Sequence, residues 1–235
     1  MAVPRRALTA AVSAVLPLDE AGEGPAVVLL HAGVADRSMW SEHLPALADS
    51  GHRAVAVDLP GFGAARESST PPWLEVLGTM SELGIDRAVL IGNSLGGAVA
   101  LRVAHAAPER VRAFMLISAP PPGLEPSDRL REAWRTEEEA YDRGDIDGAV
   151  EAVLASWTLP DARPALRERI AAAQRRAYEH AAAAGPYEEP PDPLEEDPGA
   201  LMRLTMPVLA LAGGASGSVQ AARTASTAPS MSPRS

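Results

Sequence analysis

The stretch "AVLIGNSLGGAVALRVAHAA", residues 88–107, decides the fold. Its opening, "AVLI", is a short apolar run of the kind that builds a buried strand. Its close, from Leu95 onward, is rich in helix-forming alanine, leucine and valine. Between them stands Gly92-Asn93-Ser94-Leu95-Gly96. A G-x-S-x-G turn between strand and helix bends the backbone so sharply that only small neighbours fit, and it projects the serine at the strand end. Ser94 is therefore the candidate nucleophile. The main-chain N–H of Leu95, at the start of the following helix, is placed to stabilise an oxyanion. The competing reading is a glycine-rich turn with an incidental serine.

Working outward, four further apolar runs read as strands: "AVVLL" (26–30), "AVAVDL" (54–59), "AFMLIS" (113–118) and "PVLALAG" (207–213). All are continuously apolar, as expected of strands buried on both faces. Helical stretches at 38–49, 72–83 and 95–107 alternate with them. The expected fold class is α/β: a mostly parallel sheet with helices on both faces. Val12, Val15 and Leu16 suit an opening strand.

The texture changes after Pro120. "APPPGLEPSD" leads into three helical segments at 128–142, 146–157 and 162–183, with Asp128 and Asp161 as caps and Gly144 and Gly185 as stops. Leu166, Ile170, Ala173 and Ala177 mark one face of the last segment. An acidic, proline-rich linker, "GPYEEPPDPLEEDPG" (185–199), returns to the final strand. The expected organisation is a core over 1–122, a helical cap and linker over 123–200, a last core strand over 201–213 and a disordered tail over 214–235. The insertion reads either as a stabilising subdomain or as a cap, because open α/β sheets bind ligands at the strand ends.

Composition narrows the function. The chain has 235 residues, a net charge of −10 and no cysteine. That leaves no disulfide or thiolate chemistry and argues against nucleic-acid binding. No apolar run approaches the roughly 20 residues of a membrane helix. "RRALTAAVSAVLPL" loosely imitates a signal peptide, but its small-residue segment ends early. A cytoplasmic location is expected, with no cofactor and no metal site.

Two more stretches bear on chemistry. In "LLHAGVADRSMW" (29–40) a strand ends at His31 and small residues follow, so a main-chain N–H near Gly33 or Val34 is the expected second oxyanion donor. His31 reads as a hydrogen-bonded residue beneath that loop. In "DLPGFG" (58–63) the turn chemistry makes Asp58 a structural anchor. Trp40, Trp73, Trp134 and Trp157 either pack or line a pocket.

Together these stretches resemble the α/β-hydrolase superfamily over residues ~20–212. The look is closest to small esterase- and lactonase-like members of the enol-lactone-hydrolase kind. The resemblance implies a nucleophile at Ser94, an oxyanion loop at His31-Ala32-Gly33 and a helical cap over 123–200. Relatives that are epoxide hydrolases or haloalkane dehalogenases carry an aspartate nucleophile, so Ser94 argues against both. The substrate class implied is a small-molecule ester or lactone.

The same resemblance implies a triad ordered Ser, Asp or Glu, His. Of the five histidines, at 31, 43, 52, 105 and 180, none follows position 180, and no Asp or Glu follows Asp197. The family's acid falls near Ser216. Three readings bear on this gap. His180, with Glu188 and Glu189 near it, serves as a substitute base or is a solvated helix residue. Asp128 serves as acid or as helix cap. The abrupt change after Gly213 reads as a shifted frame or a truncation, which implies weak or absent turnover and an incomplete C-terminal end. An uncovered strand 207–212 is then expected to self-associate through its free edge.

Overall fold

The computed structural model describes residues 15–123, 125–184, 191–197, 199–213 and 219–224. In chain order come β1 (Leu18–Ala21), β2 (Ala26–Leu30), a 3-10 turn (Arg37–Trp40), α1 (His43–Asp49), β3 (Arg53–Val57), α2 (Pro72–Glu82) and β4 (Ala88–Asn93). Then follow α3 (Leu95–Ala106), β5 (Val111–Ile117), α4 (Asp128–Asp142), α5 (Ile146–Trp157), α6 (Pro164–Ala184) and short α7 (Pro193–Glu196). The chain returns to the sheet as β6 (Val208–Gly213) and β7 (Val219–Thr224). One sheet holds all seven strands in the order β1-β3-β2-β4-β5-β6-β7, parallel except for the antiparallel outer strands β1 and β7. Ser94 stands where β4, near the middle, meets α3.

Each face is built by a different part of the sequence. Val76 and Met80 of α2 and Val99 and Val103 of α3 pack on Val28, Leu30, Val55 and Leu90. On the opposite face Trp40 and Leu44 cover Val27, Leu29, Ala54 and Ala56. Helices α4, α5 and α6 make a separate small core around Ala140, Val150, Leu154 and Tyr178. After them Leu194 is buried in a fourth cluster with Leu101 and Ala200. Arg102 of α3 donates to both carboxylate oxygens of Asp192, which also caps α7 by accepting from the Leu194 N–H. The described part of the acidic linker is thus pinned to the core by a forked ion pair, a geometry arginine is built for.

Several expectations change. The last strand does not present a free edge: β7 pairs along β6 from Val208↔Thr224 to Gly213↔Val219. Residues 219–224 therefore form a strand, not part of a featureless tail. Ladder bonds join main chain to main chain, so a composition poor in strand formers does not prevent pairing. The rest of the 214–235 expectation, and Gly185, lie outside the described residues, as do Val12 and the "RRALTAAVSA" segment.

Nor are all strands buried on both faces. β2 is, but Val89 and Ile91 in β4, Met115 and Ile117 in β5, and Leu209 and Leu211 in β6 are only half-buried. Among the described residues the helix on that face, α1, packs chiefly on β1 and β3. Two caps differ as well. Ser127, not Asp128, caps α4 through its side chain, and α6 starts at Pro164 with Arg163 O accepting the first helical N–H bonds. Proline suits a first helical turn because its missing N–H is not needed there.

Candidate active site

The bend at Ser94 is carried by backbone crowding. Ser94 has φ 48° and ψ −113°, a conformation that a non-glycine residue holds only under strain. Its N–H donates to Ile117 O at 2.8 Å, and its carbonyl accepts from Gly97 and Ala98 at 2.9 and 3.0 Å. A Cβ at position 92 would sit 2.4 Å from Gly96 O, and one at 96 would sit 2.2 Å from Leu30 O. Both glycines are thus required by main chain passing alongside. The Ser94 side chain makes no capping bond to its own helix, so the hydroxyl is left for other use.

That hydroxyl opens on a cavity of about 640 Å³. Ala32, Gly33, Val34, Leu95 and Ser118 form its core-side rim. As the first residue of α3, Leu95 has a main-chain N–H without an intrahelical acceptor. The N–H groups of Gly33 and Val34 are also unspent among the described residues, in a turn closed by the Ala35 N–H to Ala32 O at 3.0 Å. The structure therefore gathers all four sequence-predicted site residues, Gly33, Val34, Ser94 and Leu95, at one cavity. The residues carrying these unspent N–H groups, in one loop and at the α3 N-terminus, line the cavity together with Ser94, and a main-chain N–H is the kind of donor that stabilises an anionic oxygen.

His31 supports this rim from below. It is fully buried; its Nε2 accepts from the Leu59 N–H at 2.9 Å, so Nδ1 carries the hydrogen and donates to Ala32 O at 2.8 Å. Burial lowers its pKa, against the opposing bond to Ala32 and the charges of Asp58 and Asp36. A neutral ring fixed at both nitrogens is a brace, not a base. Asp58 is buried and holds the neighbouring loops, accepting from the main-chain N–H of Arg37 and Ala64 at 2.8 and 2.7 Å and pairing with the Arg37 guanidinium.

The helical insertion supplies the opposite wall. Trp134 and Glu137 come from α4, Trp157 from α5, and Leu166, Arg169, Ile170, Ala173 and Gln174 from α6. Of the apolar stripe read along α6, Leu166, Ile170 and Ala173 line the cavity and Ala177 does not. Of the four tryptophans, Trp40 and Trp73 pack in the core, whereas Trp134 and Trp157 line the cavity. Sequence gave no sign of the ties from α6 to the core. Arg176 pairs with buried Asp36 at 2.5 Å, and His180 Nε2 meets Gly63 O at 3.0 Å. His180 is therefore not a solvated helix residue; as the N–H donor to that carbonyl it is a strut. Asp36 titrates below the ordinary carboxylate range: burial opposes this, but bonds from Ser38 and Arg176 outweigh it.

The described residues bring no histidine to the cavity. His43 lies against Trp40, His52 bonds Ser50, and His105 sits in the last turn of α3. Asp128 is almost wholly exposed on α4 and pairs with Arg131. Ser216, Glu188 and Glu189 lie outside the described residues. Among those described, no cluster of three or more His, Asp or Glu is suited to a metal ion, and no helix is long and apolar enough to cross a membrane. Ser118, which shares the positive φ of Ser94 and lines the same cavity, went unnoticed in the sequence because no glycine motif marks it.

The family model described as alpha/beta hydrolase fold matches residues 25–175, more than half of the chain. The chain belongs to the α/β-hydrolase family. It is 38% identical over 115 residues to 2-hydroxy-6-oxo-6-phenylhexa-2,4-dienoate hydrolase of Comamonas testosteroni, covering 45% of this chain and 40% of that protein. It is also 38% identical over 111 residues to bifunctional epoxide hydrolase 2 of Sus scrofa, covering 43% of this chain and 20% of that protein. The chain thus spans well under half the length of these curated relatives. Among solved structures of this α/β-hydrolase fold, an esterase of Thermogutta terrifontis aligns with a TM-score of 0.64 at 25% identity, covering 84% of this chain and 74% of that one. The enol-lactonase of Burkholderia xenovorans aligns with a TM-score of 0.59 at 24% identity, covering 70% and 67%, a likeness of fold.

Proposed function

We propose that this chain is a serine hydrolase of the carboxylic ester or lactone type whose nucleophile is Ser94, with the insertion acting as the cap over its site. The observation that carries this reading is the strained serine at a β4–α3 bend, opening on a cavity beside the unspent N–H groups of Gly33, Val34 and Leu95. In the reaction the Ser94 Oγ bonds to the carbonyl carbon, the ester C–O bond breaks and the alcohol leaves with the serine proton. Water then cleaves the acyl-serine and restores the hydroxyl. A serine at this position, where epoxide-opening relatives use aspartate, favours ester or lactone over epoxide.

Turnover is expected to be feeble. In a serine protease, loss of the general base costs about 10⁶ in kcat, while oxyanion stabilisation and binding alone leave roughly 10³–10⁴ over water. Here no histidine of the described residues shares the cavity with Ser94. That arrangement also favours a second reading, a small-molecule-binding protein of the same fold. A fluorophosphonate probe separates the readings. Slow labelling that Ser94→Ala abolishes supports a weak serine hydrolase. Labelling within seconds would mean a base acts on Ser94, and labelling indifferent to Ser94→Ala would remove it as nucleophile.

A further inference from the structure

The loop from Ala32 to Asp36 hangs between two anchors. At its start Ala32 O accepts from the His31 ring at 2.8 Å and from the Ala35 N–H at 3.0 Å. At its end one oxygen of the Asp36 carboxylate accepts from the Ser38 N–H at 3.0 Å and so caps the 3-10 turn. Between the anchors lie Gly33 and Val34, which line the cavity with Ser94 and whose N–H groups find no acceptor among the described residues. Where those two residues sit depends on how firmly Ala32 and Asp36 are held.

The Ala32 anchor belongs to the core, since His31 is fully buried and fixed at both ring nitrogens. The Asp36 anchor is different. Its side chain is 7% exposed, and a buried carboxylate is costly unless a cation accompanies it. Arg37, the nearest cation in sequence, is taken by Asp58 and Asp19. Among the described residues only Arg176 of α6 pairs with Asp36, giving one nitrogen to its other oxygen at 2.5 Å. A side chain of the helical insertion thus completes the loop beside Ser94. The second tie of α6, from His180 to Gly63 O, touches a different loop.

Resting on the hydrolase reading above, we infer that Arg176 is a positioning residue: through Asp36 it holds the 32–36 loop in the conformation in which Ser94 reacts. Without Arg176 the buried carboxylate must turn to water or take a proton, and its bond to Ser38 weakens with the change. Gly33 and Val34 then lose their fixed places, and donors fixed in advance are what stabilises a developing oxyanion. An ammonium group, as a point charge, can serve a contact of one nitrogen to one oxygen, so lysine should substitute in part. Arg176 is itself nearly half exposed, so its replacement leaves the core intact.

The test follows fluorophosphonate labelling of Ser94 in the full chain over a range of probe concentrations. In labelling, the Ser94 Oγ bonds to phosphorus, fluoride leaves, the serine proton passes to solvent, and negative charge gathers on the phosphoryl oxygen. Arg176→Gln is expected to lower the maximal labelling rate at least about tenfold, because small misplacements near the reacting atoms are costly in rate. The half-saturating concentration should stay within about twofold of wild type. Arg176→Lys should recover at least half of the loss on a logarithmic scale. His180→Ala, which frees α6 at its other tie, should stay within about twofold in both constants. On an Asp36→Asn background, adding Arg176→Gln should change the maximal rate by no more than about twofold, since the two residues act as one unit. Amide exchange reads the loop without Ser94 chemistry: the Ala35 and Ser38 N–H groups should exchange at least about fivefold faster in Arg176→Gln and not in His180→Ala.

Equal maximal rates in Arg176→Gln and wild type would overturn the inference and leave the hydrolase reading standing. So would an equal fall in His180→Ala, a fall that lysine does not repair, a further fall on the Asp36→Asn background, or a change confined to the half-saturating concentration. If the wild type is not labelled at all, the hydrolase reading falls and the exchange contrast alone decides: its presence supports the hold of Arg176 on the loop, and its absence overturns it.

Discussion

At the level of single residues, the backbone of Ser94 stores strain. A non-glycine residue in a sparsely populated region of φ and ψ costs of order 1–3 kcal/mol, and here the surrounding main chain enforces it. Gly92 and Gly96 leave no room for the turn to relax, since a Cβ at either would strike backbone oxygen. Replacing the serine therefore separates shape from chemistry. Ser94→Ala removes the hydroxyl but keeps the Cβ and the strain. Ser94→Gly removes both, although glycine gives back about 0.5–1 kcal/mol through the greater freedom of its unfolded chain. The expected result is that both variants lose probe labelling, while urea unfolding finds Ser94→Gly more stable than Ser94→Ala by about 1 kcal/mol. Equal stability would mean that the elbow is not strained in solution. This residue was legible in sequence because a G-x-S-x-G turn is a local demand on five consecutive residues.

At the level of elements, α6 is the member that closes the site, and it is held at two points. Arg176 reaches Asp36 across 140 positions of sequence, and His180 reaches Gly63 O across 117. Neither tie is local, which is why sequence reading found the helix and its apolar stripe but not the contacts that seat it. The same reason hid Glu137, whose partner Tyr178 comes from another helix. The Asp36–Arg176 pair has a pH signature. Its carboxylate pKa is depressed in the fold, so the pair contributes fully above the ordinary carboxylate range and is lost as pH falls through the lower folded value. Arg176 is nearly half exposed, which discounts the pair to about 1 kcal/mol. Arg176→Ala is expected to lower thermal stability by that amount at neutral pH. Its gap from wild type should close only below the ordinary carboxylate range. A gap that persists in acid would show that Arg176 acts through packing of its stem instead.

At the level of the whole molecule, the sheet is asymmetric. Continuous apolar runs led to an expectation of strands buried on both faces, and the parallel order, the strand-to-helix alternation and the helical insertion all follow from such local patterns. What patterns do not carry is the span of each covering helix. One face of the sheet's centre packs under α2 and α3, where Leu90 is fully buried in the main cluster. On the other face, Leu209 and Leu211 of β6 are half-buried, with no helix of the described residues seated on them. The same substitution should therefore cost very different amounts. Leu90→Ala leaves a cavity in a closed core and is expected to cost about 2–5 kcal/mol. Leu209→Ala removes side-chain atoms that already meet solvent, and its cost should stay near or below about 1 kcal/mol. Chemical denaturation of the two variants measures the contrast directly. Costs that match would mean that the β4-to-β6 face is covered in solution as fully as its counterpart.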